Sequence, residues 1–248
     1  MAEKAPQQVP GEYRRARGTA VPGKPAPSVT RPVLYDLGCG AGGIAAGYHR
    51  AGWQVIGFDI APQPRYPFKF HRADALTVDL SGADAVHASM PCERWALASR
   101  YTTGSRWPDL ITPLRPRLQA SGKPWVMENV PGAPLRPDVK LCGCYFGLEV
   151  PGTGQLLRER WFETSWHAVA GLPGHDHHAP AISIAGHGTP AWQRRITGHV
   201  PVAVWRQAMG IDWTTREELA QAVPPAYGLF MGALLMRQHQ FMQETAAA

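Results

Sequence analysis

The sequence predicts an α/β protein with a doubly wound, mostly parallel sheet. Short apolar runs that end in an acidic residue alternate with segments of helical pattern, as in a sheet whose parallel strands are joined by helices. The first run, residues 32–36, leads into a glycine-rich turn at 38–43. The second run, 54–59, ends in Asp59 about 20 residues after the turn, the spacing of a nucleoside-binding βαβ unit. The 248 residues, 44% of them hydrophobic, suffice for a full core.

The same patterns predict the remaining elements. A helix over 44–51 follows the glycine turn, and a helix over 110–120 is predicted although Pro113 and Pro116 interrupt it. The other predicted strands are 68–72, 84–89, 124–128, 141–148 and 160–164, and the other predicted helices are 200–209, 215–222 and 226–240, with a loop over 167–190. Because ligands bind at the carboxyl ends of parallel strands, Cys92 and Glu128 fall on the ligand side of the sheet.

Positive charge is concentrated at the N-terminus. The chain has a formal charge of +6, and residues 1–31 hold six basic against two acidic side chains, or roughly +4. These residues are rich in Pro, Gly, Ala and Gln and show no periodicity. We therefore predict a disordered basic arm that either contacts phosphates or serves as a solubilising leader.

Composition argues against several classes of protein. No apolar run reaches the length of a membrane span, and the N-terminus lacks the apolar core of a signal peptide. The four cysteines are too few and too unevenly spaced for a disulfide framework. We expect a cytoplasmic monomer with free thiols and no membrane contact.

The glycine turn and three acids predict the cofactor. Small residues allow a ligand to approach the backbone closely, and Asp59 suits a pair of ribose hydroxyls. A carboxylate at Asp36, before the glycines, would attract the ammonium of a methionine moiety and repel a pyrophosphate. Asp74, after the third strand, is placed to accept a hydrogen bond from an adenine amino group. These features predict S-adenosylmethionine; the plainer alternative is that the acids only cap helices and loops.

Cys92 has the position of a nucleophile, although a buried, inert thiol is the plainer interpretation. It follows a strand on the ligand side, Pro91 fixes the backbone before it, and polar residues come after it. If strands 84–89 and 124–128 are neighbours, Glu128 faces the same volume. A thiolate that adds to C6 of cytosine, with an acid at N3, makes C5 reactive enough to accept a methyl group. The pair therefore predicts methylation of cytosine at C5.

Five motifs resemble those of the DNA (cytosine-5)-methyltransferases, in the family's order, over most of the chain after Pro32. Residues 36–43 resemble the cofactor motif DLFAGxGG, 91–92 the nucleophile motif PPCQ, and 128–130 the motif ENV. Residues 158–160 are similar to the RxR motif, whose arginines hold the cytosine O2 and order the catalytic loop, and 221–225 to a C-terminal motif that returns to the cofactor pocket. The resemblance implies a Rossmann-like S-adenosylmethionine-dependent methyltransferase fold and covalent methylation of a cytosine flipped out of duplex DNA.

The resemblance and the residue patterns together assign three groups of site residues. The catalytic residues are Cys92, Glu128, Arg158 and Arg160. The cofactor-binding residues are Asp36, Leu37, Gly38, Gly40, Gly42, Gly43, Asp59, Ile60, Asp74, Ala75, Pro91, Ala222 and Val223. The nucleic-acid-binding residues are Arg100 and Arg106, in a loop over 99–106 that resembles the family's mobile loop, and Arg194 and Arg195 beside Trp192, where a solvated surface turn is an equal alternative.

The sequence departs from the family's motifs at several residues. Gly38 stands where phenylalanine is usual, and Met90 and Glu93 flank the nucleophile motif in place of proline and glutamine. We expect Glu93 to raise the thiol pKa, since a nearby negative charge disfavours a thiolate. Gln221 replaces an asparagine.

The region of the family's target-recognition domain is short here. Only about 60 residues separate the RxR segment from the C-terminal motif, the low edge for a domain. We therefore predict a catalytic domain at 32–165, reduced recognition loops at 166–199, and C-terminal helices at 200–248 that complete the catalytic domain. Specificity is then short or relaxed unless a partner protein supplies it. The compact size favours a bacterial or phage enzyme, with restriction-modification as one of several open roles.

Cys142 and Cys144, with His175, His177 and His178, present a possible zinc site. A CxC pair lacks the usual CxxC spacing, and the segment 141–148 is explained more simply as a buried strand and turn. We therefore predict no metal.

Two other functions stay open. One is the same chemistry on RNA or on a nucleotide, since a large recognition domain is missing. The other is a catalytically silent homologue that binds nucleic acid through its basic arm. A Rossmann-type oxidoreductase is disfavoured by Asp36 and by the pairing of Cys92 with Glu128.

Overall fold

The computed structural model of the protein describes residues 30–96, 106–184 and 200–248. Arg31–Ala248 form one structural unit. The predictions for residues 1–29 of the basic arm, for Arg100, and for Arg194 and Arg195 lie outside the described residues.

Nine strands form a large and a small sheet in the described residues. They are β1 (Val33–Leu37), β2 (Gln54–Asp59), β3 (Lys69–Arg72), β4 (Ala85–Ser89), β5 (Trp125–Asn129), β6 (Val139–Leu141), β7 (Glu149–Val150), β8 (Gly154–Gln155) and β9 (Arg160–Thr164). The large sheet has the order β3-β2-β1-β4-β5-β9-β6, and β7 pairs with β8.

The large sheet reverses its direction of growth beside β1. Neighbouring strands from β3 to β5 run parallel, whereas β9 is antiparallel to both β5 and β6. The chain adds β2 and β3 on one side of β1 and returns to add β4 on the other side. This confirms the predicted doubly wound, mostly parallel sheet, and it places a ligand crevice at the carboxyl ends of β1 and β4.

Five α-helices accompany the sheet in the described part of the chain. They are α1 (Gly43–Arg50), α2 (Ile111–Ala120), α3 (Val202–Met209), α4 (Arg216–Gln221) and α5 (Pro225–Ala247). α4 begins with a capping box, in which the Thr215 side chain accepts a bond from the Glu218 N–H and the Glu218 side chain accepts one from the Thr215 N–H. None of these helices is both long and apolar enough to cross a membrane.

Glycines allow α1 and α5 to touch backbone to backbone. A Cβ atom on Gly47 would lie 2.0 Å from the Pro225 carbonyl oxygen, and one on Gly228 would lie 2.1 Å from that of Ile44. Trp53, just after α1, donates its indole N–H to the carbonyl of Gly232 at 3.0 Å. The two helices cover one face of the sheet, and α2 covers a second buried cluster that includes Leu37, Val86 and Leu114.

The predicted strand over 141–148 is wrong. β6 ends at Leu141 and the chain continues as a 3₁₀ helix, Gly143–Phe146. The reason lies at Gly143, because a Cβ there would lie 1.8 Å from the Leu156 carbonyl oxygen. Gly147 then ends the turn with a left-handed φ of +59°. The other predicted strands and helices are found within a few residues, except that α5 runs on to Ala247.

Candidate active site

The turn between β1 and α1 has a backbone shape that favours glycine. Gly38, Gly40 and Gly42 have φ angles of +66°, +48° and +80°. A Cβ on Gly38 would lie 2.5 Å from the Ser89 carbonyl oxygen, so the phenylalanine of the family motif would collide with the end of β4. Among the described residues, nothing lies within 4 Å of a Cβ built on Gly40. This part of the turn is therefore open to a ligand.

Asp59, Ile60 and Asp74 line the side of the crevice after β2 and β3. The two carboxylate oxygens of Asp59 accept hydrogen bonds from the backbone N–H groups of Gly40 (3.1 Å) and Ala61 (2.9 Å). Each oxygen keeps a lone pair for a ligand hydroxyl. Ile60 is 68% exposed, and Asp74 is exposed as well. These side chains fit the nucleoside part of the expected cofactor. Asp59 suits the ribose hydroxyls, Ile60 offers an aliphatic face, and Asp74 can accept a hydrogen bond from an amino group.

Asp36 is held by two buried polar side chains. It is fully buried, its Oδ2 accepts a hydrogen bond from the Tyr66 hydroxyl at 3.1 Å, and its Oδ1 lies 2.8 Å from Nδ1 of His87. His87 sits opposite Asp36 in the pairing of β1 with β4 and is also fully buried. Both oxygens are thus engaged by protein groups, and the contact with an ammonium group stays a prediction. Leu37 is likewise fully buried in the core.

A chain of polar side chains links Asp36 to Glu128. From His87, whose Nδ1 faces Asp36, the other ring nitrogen lies 3.4 Å from the Ser89 hydroxyl. Ser89 in turn donates a hydrogen bond of 2.7 Å to Oε2 of Glu128. The glycine turn and the predicted catalytic acid are thus joined through buried polar groups that sequence patterns alone did not reveal.

The loop that carries Cys92 begins where β4 ends, and β4 pairs with β5. The register places Ser89 beside Glu128, as expected for neighbouring parallel strands. Cys92 is half-buried and comes three residues after Ser89. Asn129, at the end of β5, donates its side-chain N–H to the Met90 carbonyl at 2.8 Å. This bond ties the loop that carries Cys92 to the strand that carries Glu128.

Charged neighbours act on the Cys92 thiol. Burial raises the pKa of Cys92 above its ordinary value, Arg160 opposes this, and Glu93 and Glu128 add to it. The direction of the Glu93 effect is the one predicted from the sequence. Because the pKa is raised, the thiol is protonated at neutral pH before a substrate binds. If Cys92 acts as the predicted nucleophile, its thiol has to lose this proton when a substrate binds.

Arg160 and Glu128 form a close pair that leaves one oxygen unsatisfied. Arg160 Nε lies 3.0 Å from Glu128 Oε1, and the two residues are 9% and 4% exposed. Oε1 nevertheless has no partner in hydrogen-bond geometry among the described residues. The Arg160 charge offsets part of the cost of burying this oxygen, but the oxygen keeps the capacity to accept a hydrogen bond. The site is therefore prepared for a ligand that brings a donor to Oε1.

Arg158 is held by backbone carbonyl oxygens. Its guanidinium donates to the carbonyl oxygens of Ala220 (2.6 Å), Ala222 (3.0 Å) and Ile184 (3.2 Å). These bonds fasten the start of β9 to the C-terminal end of α4. Arg158 also lowers the pKa of the Cys92 thiol, so its charge acts on the crevice, and its predicted contact with a base stays a prediction.

The C-terminal motif lies at the glycine turn. A Cβ on Gly43 would lie 2.6 Å from the Val223 carbonyl oxygen and 3.1 Å from Ala222 Cβ. Trp213, which the sequence patterns did not single out, donates its indole N–H to the Ala41 carbonyl at 2.9 Å. The segment before and after α4 therefore closes one side of the turn, as the motif predicted.

An aromatic and basic group lies just after the nucleophile. Arg94 donates to the Trp107 carbonyl at 2.7 Å, and its guanidinium carbon lies 5.2 Å from the centre of the Trp95 ring. Trp107 is 43% exposed, and the predicted nucleic-acid residue Arg106 is exposed. The repeated Arg-Trp pair, at 94–95 and again at 106–107, was the signal that would have singled out Arg94 and Trp107.

Comparisons with known proteins agree with this fold. No protein-family model matches the chain, and no curated protein sequence matches it. A triple mutant of Spodoptera frugiperda DNMT2 is similar with a TM-score of 0.53 and 11% identity, over 83% of this chain and 99% of that one. The methyltransferase EhMeth of Entamoeba histolytica has a TM-score of 0.51 at 10% identity, over 84% and 98%. The Dnmt2 methyltransferase of S. pombe has a TM-score of 0.50 at 11% identity, over 84% and 99%. At these identities the likeness concerns the fold alone: this chain has the Rossmann-like α/β fold of these methyltransferases.

Proposed function

We propose that this protein transfers a methyl group from S-adenosylmethionine to C5 of cytosine in DNA, through a covalent adduct at Cys92. One observation carries the proposal. The parallel register of β4 and β5 sets Ser89 beside Glu128, so the Cys92 thiol lies under the charges of Glu128 and Arg160 beside the open glycine turn. A thiol, a buried carboxyl group and a guanidinium in one crevice are the groups that this reaction requires.

The cofactor is assigned from the side of the crevice that fits a nucleoside. Asp59 would hold the ribose hydroxyls, the exposed face of Ile60 would contact the adenine ring, and Asp74 would accept from its amino group. Gly40 leaves room for the ligand beside the backbone. When bound, S-adenosylmethionine supplies an electrophilic methyl group. Since Asp36 is buried against His87 and Tyr66, its part is to hold the end of β1 in place.

Cys92 opens the reaction. Its thiol gives up a proton, the sulfur forms a bond to C6 of the cytosine, and the electron pair of the C5–C6 double bond becomes available at C5. After C5 has gained the methyl group, it loses its proton to a base and the C6–S bond breaks. The electron pair of that bond returns to sulfur, and the ring recovers its double bond. Arg160, which lowers the pKa of the thiol, favours the thiolate throughout.

Glu128 and Arg160 recognise the ring. Oε1 of Glu128 is a buried acceptor without a hydrogen-bond partner among the described residues, so it suits a donor on the N3 and amino edge of cytosine. A proton shared between this oxygen and N3 would draw electron density from C6 while Cys92 attacks. Arg160, 3.0 Å from the same oxygen, supplies N–H donors for the cytosine O2.

Two features support DNA as the substrate. They are the positive net charge of the chain and the arginine and tryptophan side chains that follow Cys92. The chain carries a net charge of +6, and Arg94, Trp95 and Trp107 offer guanidinium and aromatic surfaces near Cys92. A base in a duplex has to leave the stack before a thiol can reach its C6. We further propose that the reduced region 166–199 selects the target, alone or with a partner protein, and that a monomer acts in a bacterial cell or an infected host.

Nucleoside mass spectrometry tests the proposal. The wild type, Cys92→Ser and Glu128→Gln are expressed in a bacterial host without cytosine methylation, with Glu244→Gln near the end of α5 as a matched control. We expect 5-methyldeoxycytidine in DNA with the wild type and the control, and none with the other two.

RNA from the same cells separates the alternatives. Methylcytidine confined to RNA would overturn the DNA assignment while preserving the chemistry. Folded protein that modifies neither polymer and forms no Cys92 adduct with 5-fluorocytosine DNA in the presence of cofactor would point to a silent binding protein instead.

A further inference from the structure

Two cysteines and two histidines from separate segments converge outside the catalytic crevice. The ligand atoms of Cys142, Cys144, His175 and His177 all lie within 4.8 Å of one another. Cys142 Sγ is 3.4 Å from His177 Nε2, Cys144 Sγ is 3.4 Å from His175 Nδ1, and these two nitrogens are 3.2 Å apart. We infer that these four residues form a structural zinc site.

The separations are close to those of a tetrahedral ion site. Zinc–sulfur bonds of about 2.3 Å and zinc–nitrogen bonds of about 2.0 Å put tetrahedral ligand atoms roughly 3.3–3.8 Å apart. Three of the six separations are 3.2–3.4 Å and the others stay within 4.8 Å, so the ligand atoms would move by up to about 1 Å to coordinate one ion. Two sulfurs and two imidazoles are the donor set of closed, structural zinc sites.

The 3₁₀ helix explains how a CxC pair can act as two ligands. Gly143 donates its N–H to the Leu157 carbonyl at 3.0 Å and fits so closely against Leu156 that a side chain is excluded. The chain turns there, and Tyr145 N–H bonds back to the Cys142 carbonyl at 3.1 Å. In an extended strand the two cysteines would also share a face, but the tight turn directs both sulfurs towards the histidine segment. The CxC spacing of Cys142 and Cys144 is therefore no argument against a metal site here.

A second layer of contacts orients the histidines. The Tyr145 hydroxyl lies 2.8 Å from Nε2 of His175, the ring nitrogen that does not face the cluster. Buried Gln155 donates its side-chain N–H to the Asp176 carbonyl at 2.9 Å and so holds the loop between the two histidines. His178 takes no part, since its ring nitrogens lie 3.1 Å from Glu149 and 3.3 Å from Asp176.

The position of the cluster indicates what the ion would do. Residues 167–180 contain no helix or strand, so little hydrogen bonding within the segment holds it. Three apolar residues at the start of the segment pack on the main core: Ala168, Ala170 and Leu172. A metal would join the later part of the segment to the turn after β6. The same loop leads to Ile184, whose carbonyl accepts a bond from Arg158. The ion would thus fix the described part of the recognition loops and support Arg158 through them.

Metal analysis of the full chain, purified without a metal-affinity tag, tests the site. We expect one zinc per chain in the wild type and in the control His178→Ala, and a loss of about one equivalent in Cys144→Ser and His177→Ala. Cobalt(II) added to metal-free wild type should give the d–d bands of a tetrahedral site and a thiolate-to-cobalt charge-transfer band.

The cobalt measurement needs no variant, so it remains decisive if a cysteine substitution prevents folding. Folded wild type that takes up neither zinc nor cobalt would overturn the proposal, as would a disulfide between Cys142 and Cys144 in freshly purified protein. An equal loss of zinc from His178→Ala and His177→Ala would also overturn it. None of these readouts depends on methyl transfer.

Discussion

Ser89 donates a hydrogen bond of 2.7 Å to Oε2 of Glu128 across the pair of strands β4 and β5. The bond fixes the rotation of the carboxyl group and leaves Oε1 near Arg160. The hydroxyl is itself held by its place beside His87. The Glu128 carboxyl group is therefore oriented by the neighbouring strand as well as by its own.

Replacement of Ser89 by alanine should lower the rate of methyl transfer and leave the fold intact. Loss of one hydrogen bond to a charged group is worth roughly 1.5–3 kcal/mol, or about a 10- to 150-fold lower single-turnover rate. Ser81→Ala, which removes a bond to exposed Asp79, is the matched control and should keep the wild-type rate. An unchanged rate in Ser89→Ala would show that Glu128 is oriented by other groups.

Alkylation of Cys92 by iodoacetamide should depend on pH in a way that the neighbouring charges control. Burial raises the thiol pKa, so the alkylation rate should rise with pH. It should reach half its maximum at a pH above the ordinary thiol pKa of roughly 8.5. Arg160→Gln removes a charge that lowers the thiol pKa, so it should move the midpoint to higher pH. Glu93→Gln removes a charge that raises the thiol pKa, so it should move the midpoint to lower pH.

Mass spectrometry of the peptide that contains Cys92 separates this thiol from the other cysteines. Arg237→Gln, on the exposed side of α5, is the control and should leave the midpoint where it is. A shift of both Arg160→Gln and Glu93→Gln in the same direction would contradict the charge arrangement around the thiol.

Ile60→Ala should weaken S-adenosylmethionine binding without a loss of stability. The side chain is 68% exposed in the ligand-free protein, so truncation costs the fold little. Loss of its contact with the adenine ring removes about 1–2 kcal/mol, or roughly a 5- to 30-fold higher Kd in calorimetry. Val169→Ala, at a residue that is 93% exposed, is the control. An unchanged Kd would place the adenine elsewhere.

Gly47→Ala should destabilise the protein although alanine is the better helix former. The added Cβ would lie 2.0 Å from the Pro225 carbonyl oxygen, so α1 and α5 would have to separate. We expect the free energy of unfolding in urea to fall by roughly 2–4 kcal/mol. Gly171→Ala, where no described atom lies within 4 Å of the new methyl group, should change it by less than about 1 kcal/mol. Equal stability of both variants would contradict the close helix contact.

The ends of the parallel strands were predictable, and Glu128 acts on the Cys92 thiol as expected if their strands are neighbours. Apolar runs that end in polar residues mark the carboxyl ends of parallel strands, and these ends share one edge of the sheet. The direction in which a residue points was not predictable where a strand is buried on both faces, because such a strand has no polar alternation. The sequence therefore did not show that His87 on the next strand lies against Asp36.

The surroundings of two motifs were not predictable. The RxR pattern does not show that the Arg158 guanidinium donates to the carbonyl oxygens of Ala220 and Ala222 at the end of α4. The CxC pattern looked like a strand because the close packing of Gly143 against Leu156, where a Cβ would not fit, involves another segment of the chain. The hydrophobic pattern of one segment carries no information about its contacts with another segment.

The contact between α1 and α5 also sets the order in which the protein can be completed during synthesis. The bond between Trp53 and Gly232 spans 179 residues, so α1 stays uncovered until α5 has left the ribosome. A nascent chain that ends before α5 would expose the apolar face of α1 to chaperones and proteases.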